Sequence, residues 1–154
     1  MPRPESGRKV ADFTLESTAG PWRLKEAAGA KLVLYFYPRD NTSGCSREAE
    51  GFRDLQAAFR KAGTTILGVS PDTLASHQKF KAKLKLPFEL LADPERKVCT
   101  LFDVIQQKSM YGRKFLGVER SSFLLDAAGV LRHEWRKVRV DGHAAEVLTA
   151  ARAL

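Results

Sequence analysis

Two thiols are present in this chain, and one stands where chemistry would need it. Cys45 follows the turn-forming run P-R-D-N-T-S-G and precedes a stretch of helical periodicity, so it falls in the first turn of a helix. Unpaired backbone N–H groups and the positive end of the dipole gather there and favour a thiolate, the reactive form of cysteine. Gly44 lets backbone approach closely, and such helix starts lower thiol pKa values to roughly 3.5–7.5. The alternative, a small buried hydrophobe, sits poorly with the small or polar neighbours Thr42, Ser43, Gly44, Ser46, Arg47 and Glu48. Cys99, in R-K-V-C-T-L-F, lies among Val98, Leu101 and Phe102 and reads as a buried structural cysteine. His77, His133 and His143 pair with no cysteine or carboxylate at a metal-ligand spacing, so no metal is expected. Neither a G-x-x-x-x-G-K-[ST] nor a G-x-G-x-x-G loop is present, and no cofactor is expected.

The elements that hold Cys45 follow from periodicity. Lys31 to Tyr37 is a short continuous apolar run ended by Pro38, the signature of a strand buried on both faces. Phe52, Leu55, Phe59 and Ala62 recur at helical spacing, which predicts one helix over 45–62 closed by Gly63. Thr64 to Ser70 reads as a second buried strand, Ser70-Pro71-Asp72-Thr73 as a turn, and Leu74 to Leu84 as a helix. Phe88 to Ala92 is strand-like, and Pro94 suits the first position of a helix reaching Phe102. Ser121 to Asp126 and Val130 to Arg136 form a hairpin through D-A-A-G, and Gly142 to Leu154 a last amphipathic helix. Val10 to Leu24 adds a hairpin ahead of this core, turning at Ala19-Gly20-Pro21. The order predicts an α/β thioredoxin-like sandwich, a central mixed sheet flanked by helices with an N-terminal β-hairpin extension.

The 154 residues suit a single domain over 1–154, long enough to bury a core without staples. No apolar window approaches the ~18 residues of a membrane span, and no apolar segment follows M-P-R-P-E-S-G-R-K, so neither a membrane partner nor export is expected. Two cysteines are too few for a disulfide framework and place the chain in the reducing cytoplasm. The net charge of +8 reads as a solvated basic surface spread along the chain. Leu131 to Val140, with Arg132, Arg136, Lys137 and Arg139 around Trp135, has the residue types of a nucleic-acid face; a half-exposed strand with one packed aromatic explains it better, so no nucleic-acid partner is expected.

P-R-D-N-T-S-G-C, Pro38 to Cys45, resembles the Pro-x-x-x-Thr-x-x-Cys signature of peroxiredoxins. With G-V-S-P-D-T-L-A-S-H-Q-K-F and S-M-Y-G-R-K-F-L-G-V-E-R-S-S-F-L-L-D in the same order, the chain is similar to the bacterioferritin comigratory protein (PrxQ) subfamily over roughly residues 7–150. The resemblance implies a thiol-dependent peroxidase acting on hydrogen peroxide and organic hydroperoxides, as a monomer or weak homodimer. Cys45 would be the peroxidatic cysteine, passing from thiolate to sulfenic acid. Thr42 would hold the peroxide, Pro38 would shape the loop and limit solvent, and Arg120, in V-E-R-S-S-F, would stabilise thiolate and transition state. Glu48 would orient that arginine. On spacing alone Pro38 serves equally to end a strand, Thr42 to cap the helix, Arg120 as a surface charge, and Glu48 as a first-turn acid.

The reductive half of the cycle departs from the subfamily. Its resolving cysteine commonly stands where this chain has Glu50, or, in S-H-x-K-F-C, where it has Lys81. Both positions lack a thiol, which favours a one-cysteine mechanism with an external reductant such as thioredoxin or glutaredoxin/glutathione. Two alternatives stay open: an atypical two-cysteine enzyme resolving through Cys99, and a redox-sensing or binding module oxidised at Cys45 without turnover.

Overall fold

The computed structural model describes residues 3–154. The N-terminal hairpin pairs β1 (Thr14–Ser17) antiparallel with β2 (Gly20–Arg23). Its turn is Thr18-Ala19, earlier than the predicted Ala19-Gly20-Pro21, because Ser17 Oγ accepts from the Ala19 N–H and donates to the Gly20 carbonyl oxygen. Pro21 therefore lies inside β2, an edge strand where its missing N–H is tolerated. The run K-L-V-L-Y-F forms β3 (Lys31–Phe36).

After β3 the predicted single helix over 45–62 is two: α1 (Ser43–Asp54) and α2 (Gln56–Lys61). Leu55, at φ −104° and ψ 7°, closes α1 by donating to the Phe52 carbonyl oxygen three residues back, and apolar spacing carries no mark of such a break. β4 (Thr64–Ser70), α3 (Leu74–Leu84) and β5 (Glu89–Ala92) follow the sequence reading to within a residue. The next helix, α4 (Lys97–Leu101), is shorter than 94–102. Pro94 opens a turn instead, closed by the Arg96 N–H on the Asp93 carbonyl oxygen. A hairpin with no counterpart in the sequence reading then appears, β6 (Ile105–Met110) and β7 (Arg113–Val118). β8 (Ser121–Leu125), β9 (Leu131–Trp135) and α5 (His143–Arg152) complete the chain.

The sheet runs β2-β1-β5-β4-β3-β8-β9, with β3, β4 and β5 parallel and the outer strands antiparallel, a mixed sheet of the thioredoxin-like kind. Because side chains alternate along a strand, β3 feeds two separate cores. Val33, Tyr35 and Tyr37 pack with Cys45, Ala49 and Phe52 of α1, Phe59 of α2, Phe80 of α3 and Val147 of α5. Leu32, Leu34 and Phe36 point the other way, to Val98 and Cys99 of α4, Phe102 and Phe123. Gly68 of β4 is what lets Tyr35 lie flat: a Cβ there would come within 2.9 Å of the Tyr35 ring and 2.8 Å of Leu90. Tyr35 in turn stacks on Phe52 at 4.7 Å, which fixes how α1 sits on the sheet. Among the described residues no helix is long and apolar enough to cross a membrane.

Candidate active site

Pro38 has no N–H to continue a strand ladder, and the chain turns away from β3 there. Asn41 adopts φ 65°, a left-handed conformation that asparagine tolerates, and Thr42 becomes the N-cap of α1. The Thr42 hydroxyl accepts from the Cys45 N–H at 3.4 Å and donates to the Arg39 carbonyl oxygen at 3.4 Å. The capping reading of Thr42 therefore holds, and the same bond pins the first turn that carries Cys45. Cys45 itself is 1% exposed.

Phe36 of β3 pairs with Ser121 of β8, so Arg120 emerges at the sheet end from which Pro38 leaves. The Arg120 backbone is held by the Val138 N–H on its carbonyl oxygen. Its guanidinium spans two groups: Nη2 donates to Cys45 Sγ at 3.2 Å and Nη1 to Glu48 Oε1 at 2.6 Å. Gly44 keeps this space open, since a Cβ there would lie 3.2 Å from Arg120 Nη2. Burial pushes the Glu48 carboxyl up to about 7 against the pull of Arg120, and its Oε2 has no hydrogen-bond partner among the described residues. Four predicted residues, Cys45, Thr42, Arg120 and Glu48, thus converge, with Pro38 at the entry to the loop.

The other thiol is elsewhere. Cys99 is fully buried in the core on the opposite face of the sheet from Cys45. Burial, reinforced by the neighbouring Asp93 carboxylate, pushes its thiol well up. Glu50 lies near Arg53 on α1, and Lys81 of α3 is ion-paired with Glu89.

Three further groups belong to this neighbourhood and have no role in the sequence reading. Lys108 of β6 shares the positive environment of Arg120, and burial followed by that charge lowers its ammonium pKa. The Tyr35 hydroxyl is buried beneath the site without a partner. Asp40, inside the P-R-D-N-T turn, is buried against His77 of α3. The first two left no signal in the sequence; the position of Asp40 in the signature turn was one. A hollow of about 440 Å³ at the other end of the sheet, lined by Val10, Leu24, Leu32 and Leu125 with Lys9, Lys25, Asp12 and Asp126, contains neither thiol. Among the described residues no three His, Cys, Asp or Glu side chains converge as a metal site requires.

The arrangement, a thiol on a helix start under an arginine fork, can stabilise a thiolate and an oxygen gaining negative charge beside it. Comparison with known proteins points the same way. The profile of the AhpC/TSA family matches residues 6–134. The chain is 46% identical over 145 residues to Peroxiredoxin Bcp of Bacillus subtilis, covering 94% of this chain and 92% of that protein. To Peroxiredoxin Bcp of Xanthomonas campestris it is 49% identical over 130 residues, 84% and 81% of the two chains. Among solved structures, Peroxiredoxin Q of Xanthomonas campestris superposes with a TM-score of 0.87 at 46% identity, covering 92% and 90%. A cysteine variant of PrxQ from Xylella fastidiosa gives 0.93 at 37% identity, covering 99% and 98%.

Proposed function

Because the chain belongs to the AhpC/TSA family, in its Bcp/peroxiredoxin Q group, and is a thiol-dependent peroxidase, we propose that Cys45 is the thiol that attacks the peroxide. One observation carries the assignment: the Arg120 fork, 3.2 Å from Cys45 Sγ, at a helix start. The Cys45 thiolate bonds to one peroxide oxygen as the O–O bond breaks, and the departing hydroxide or alkoxide takes a proton, leaving a sulfenic acid and water or an alcohol. Arg120 stabilises the sulfur charge at the start and the oxygen charge at the transition state. Thr42 holds the peroxide in line, Glu48 aims the arginine, and Pro38 shapes the loop and limits water. Hydrogen peroxide and organic hydroperoxides are the proposed substrates; the related Xanthomonas campestris bacterioferritin comigratory protein is described as having alkyl peroxide reduction activity.

The sulfenic acid is reduced by an external thiol in a one-cysteine cycle. One thiol condenses with it to a mixed disulfide and water, and a second releases Cys45. The central sheet between Cys45 and Cys99 supports this over resolution by Cys99, because a disulfide needs an alpha-carbon separation of about 4.4–6.8 Å. Its thiol content suits the cytoplasm, with thioredoxin or glutaredoxin/glutathione as reductant. Intact mass after one equivalent of peroxide, without reductant, tests the cycle: one added oxygen is expected, and a Cys45–Cys99 bridge as main product would overturn it. Turnover with a panel of thiol donors should vanish in Cys45→Ser and persist in Cys99→Ser. Stoichiometric oxidation without turnover under every donor would make the protein a sensor instead.

A further inference from the structure

A buried, densely bonded carboxylate stands beside the site, and the proposed chemistry does not use it. Asp40 Oδ1 accepts from the Tyr37 hydroxyl at 2.7 Å, and Oδ2 accepts from the Ser76 hydroxyl at 2.7 Å and faces His77 Nδ1 at 2.7 Å. The Asp40 N–H donates to Asp72 Oδ2 at 2.5 Å. On the far side of the ring, His77 Nε2 is 2.9 Å from the Leu91 carbonyl oxygen, which can only accept, so Nε2 carries a hydrogen. His77 is thus fully buried and hydrogen-bonded at both ring nitrogens, Nδ1 to a buried carboxyl group. Burial alone would raise the Asp40 pKa, but the bonds from His77, Tyr37 and Ser76 outweigh it and hold the carboxyl below its usual range.

This pair is the fully buried polar link between the turn and α3. Asp40 stands in the turn between Pro38 and Thr42; His77 stands on α3 and is bonded to β5. The turn makes two other side-chain bonds to α3: Ser76 Oγ donates to Asp40 Oδ2 at 2.7 Å, half-buried, and Lys83 Nζ to Asn41 Oδ1 at 3.4 Å, exposed. Two residues beyond Asp40, Thr42 caps the turn that bears Cys45. We propose that Asp40 and His77 are positioning residues for peroxide attack: their buried hydrogen bond bolts the Pro38–Thr42 turn to α3, and so sets Thr42 and Cys45 against Arg120. Removing one partner leaves the other buried and unsatisfied, which the turn relieves by lifting from α3.

The proposal rests on the assignment of Cys45 as the reacting thiol, so Cys45→Ser is the control; peroxide consumption surviving in it would remove that assignment and not the Asp40–His77 contact. The test measures the oxidative and reductive half-reactions separately, by rapid quench and mass spectrometry, in Asp40→Asn, His77→Asn and the double variant. Misplacement of the reacting groups is expected to lower the peroxide rate constant about tenfold or more in each single variant. The amplitude per folded molecule and the rate of sulfenate reduction should hold, and the double variant should be no slower than the worse single. Amide exchange should quicken at Ser43 to Ala49 and stay unchanged in β3 and β4. A merely structural pair would scale both half-reactions with the folded fraction. That result, or peroxide rate constants within about twofold of wild type, overturns the proposal. Should Asp40→Asn fail to fold, Tyr37→Phe decides, since it removes one donor to Asp40 without changing the core volume. A drop of about threefold confined to the oxidative half is expected, and none overturns the proposal.

Discussion

Arg120 reaches two atoms at once, and in the proposed chemistry that makes it poorly replaceable. Lysine would keep the charge but lose the fork across Cys45 Sγ and Glu48 Oε1, so Arg120→Lys is expected to slow the peroxide reaction by about 10²–10³ in stopped-flow assays. Glu48 carries a pH signature. Its ordinary value is 4.5 and burial raises it to about 7, so the folded chain holds this proton more tightly than the unfolded chain. The stabilising contribution is complete below pH 4.5 and is lost as pH rises to about 7. Glu48→Gln keeps the acceptor for Arg120 and removes the titration, so its melting temperature should exceed wild type near about pH 8 and converge with it near about pH 5. Cys45, Thr42, Arg120 and Glu48 were legible because their types recur at fixed places in a known signature. The Asp40–His77 pair was not: it joins residues 37 apart through side chains alone, and no periodicity records that.

At the scale of elements, the sequence made the parallel core plain, since β3 and β4 are long apolar runs buried on both faces. It was silent on the β6–β7 hairpin for the opposite reason. Only Val118 of that arm is buried, so there was no apolar alternation to read. Its one signal was Tyr111-Gly112, where both residues take positive φ as a two-residue hairpin turn demands. The break at Leu55 was equally hidden, because Phe52 and Phe59 keep helical spacing across it. Gly68 is the element-scale residue with a sharp consequence. Gly68→Ala drives a methyl into Tyr35 and Leu90, neither of which has room to move, and should cost about 1–3 kcal/mol in urea unfolding. Because Tyr35 stacks on Phe52, the strain passes to α1, and the peroxide rate constant should fall with the stability.

The molecule as a whole carries a charge of +8, with Arg120 and Lys108 beside the Cys45 sulfur. A neutral peroxide feels little of that field, whereas an anionic thiol or acidic reductant is drawn by it. The oxidative half-reaction should therefore be nearly independent of salt, and the reductive half with an anionic donor should slow several-fold between about 0.05 and 0.5 M ionic strength, measured half by half. The arm that brings Lys108 in also presents Tyr111, 98% exposed, together with Met110, Phe115 and Leu116, all exposed to solvent. The division of the two thiols between opposite faces of the sheet gives the chain a calibrated gauge of its own integrity. Both sulfurs are buried, so a thiol-specific reagent counts Cys45 only as the first core opens around α1. Cys99 enters the count only when the second core opens, and its labelling rate measures how often the whole structure breathes.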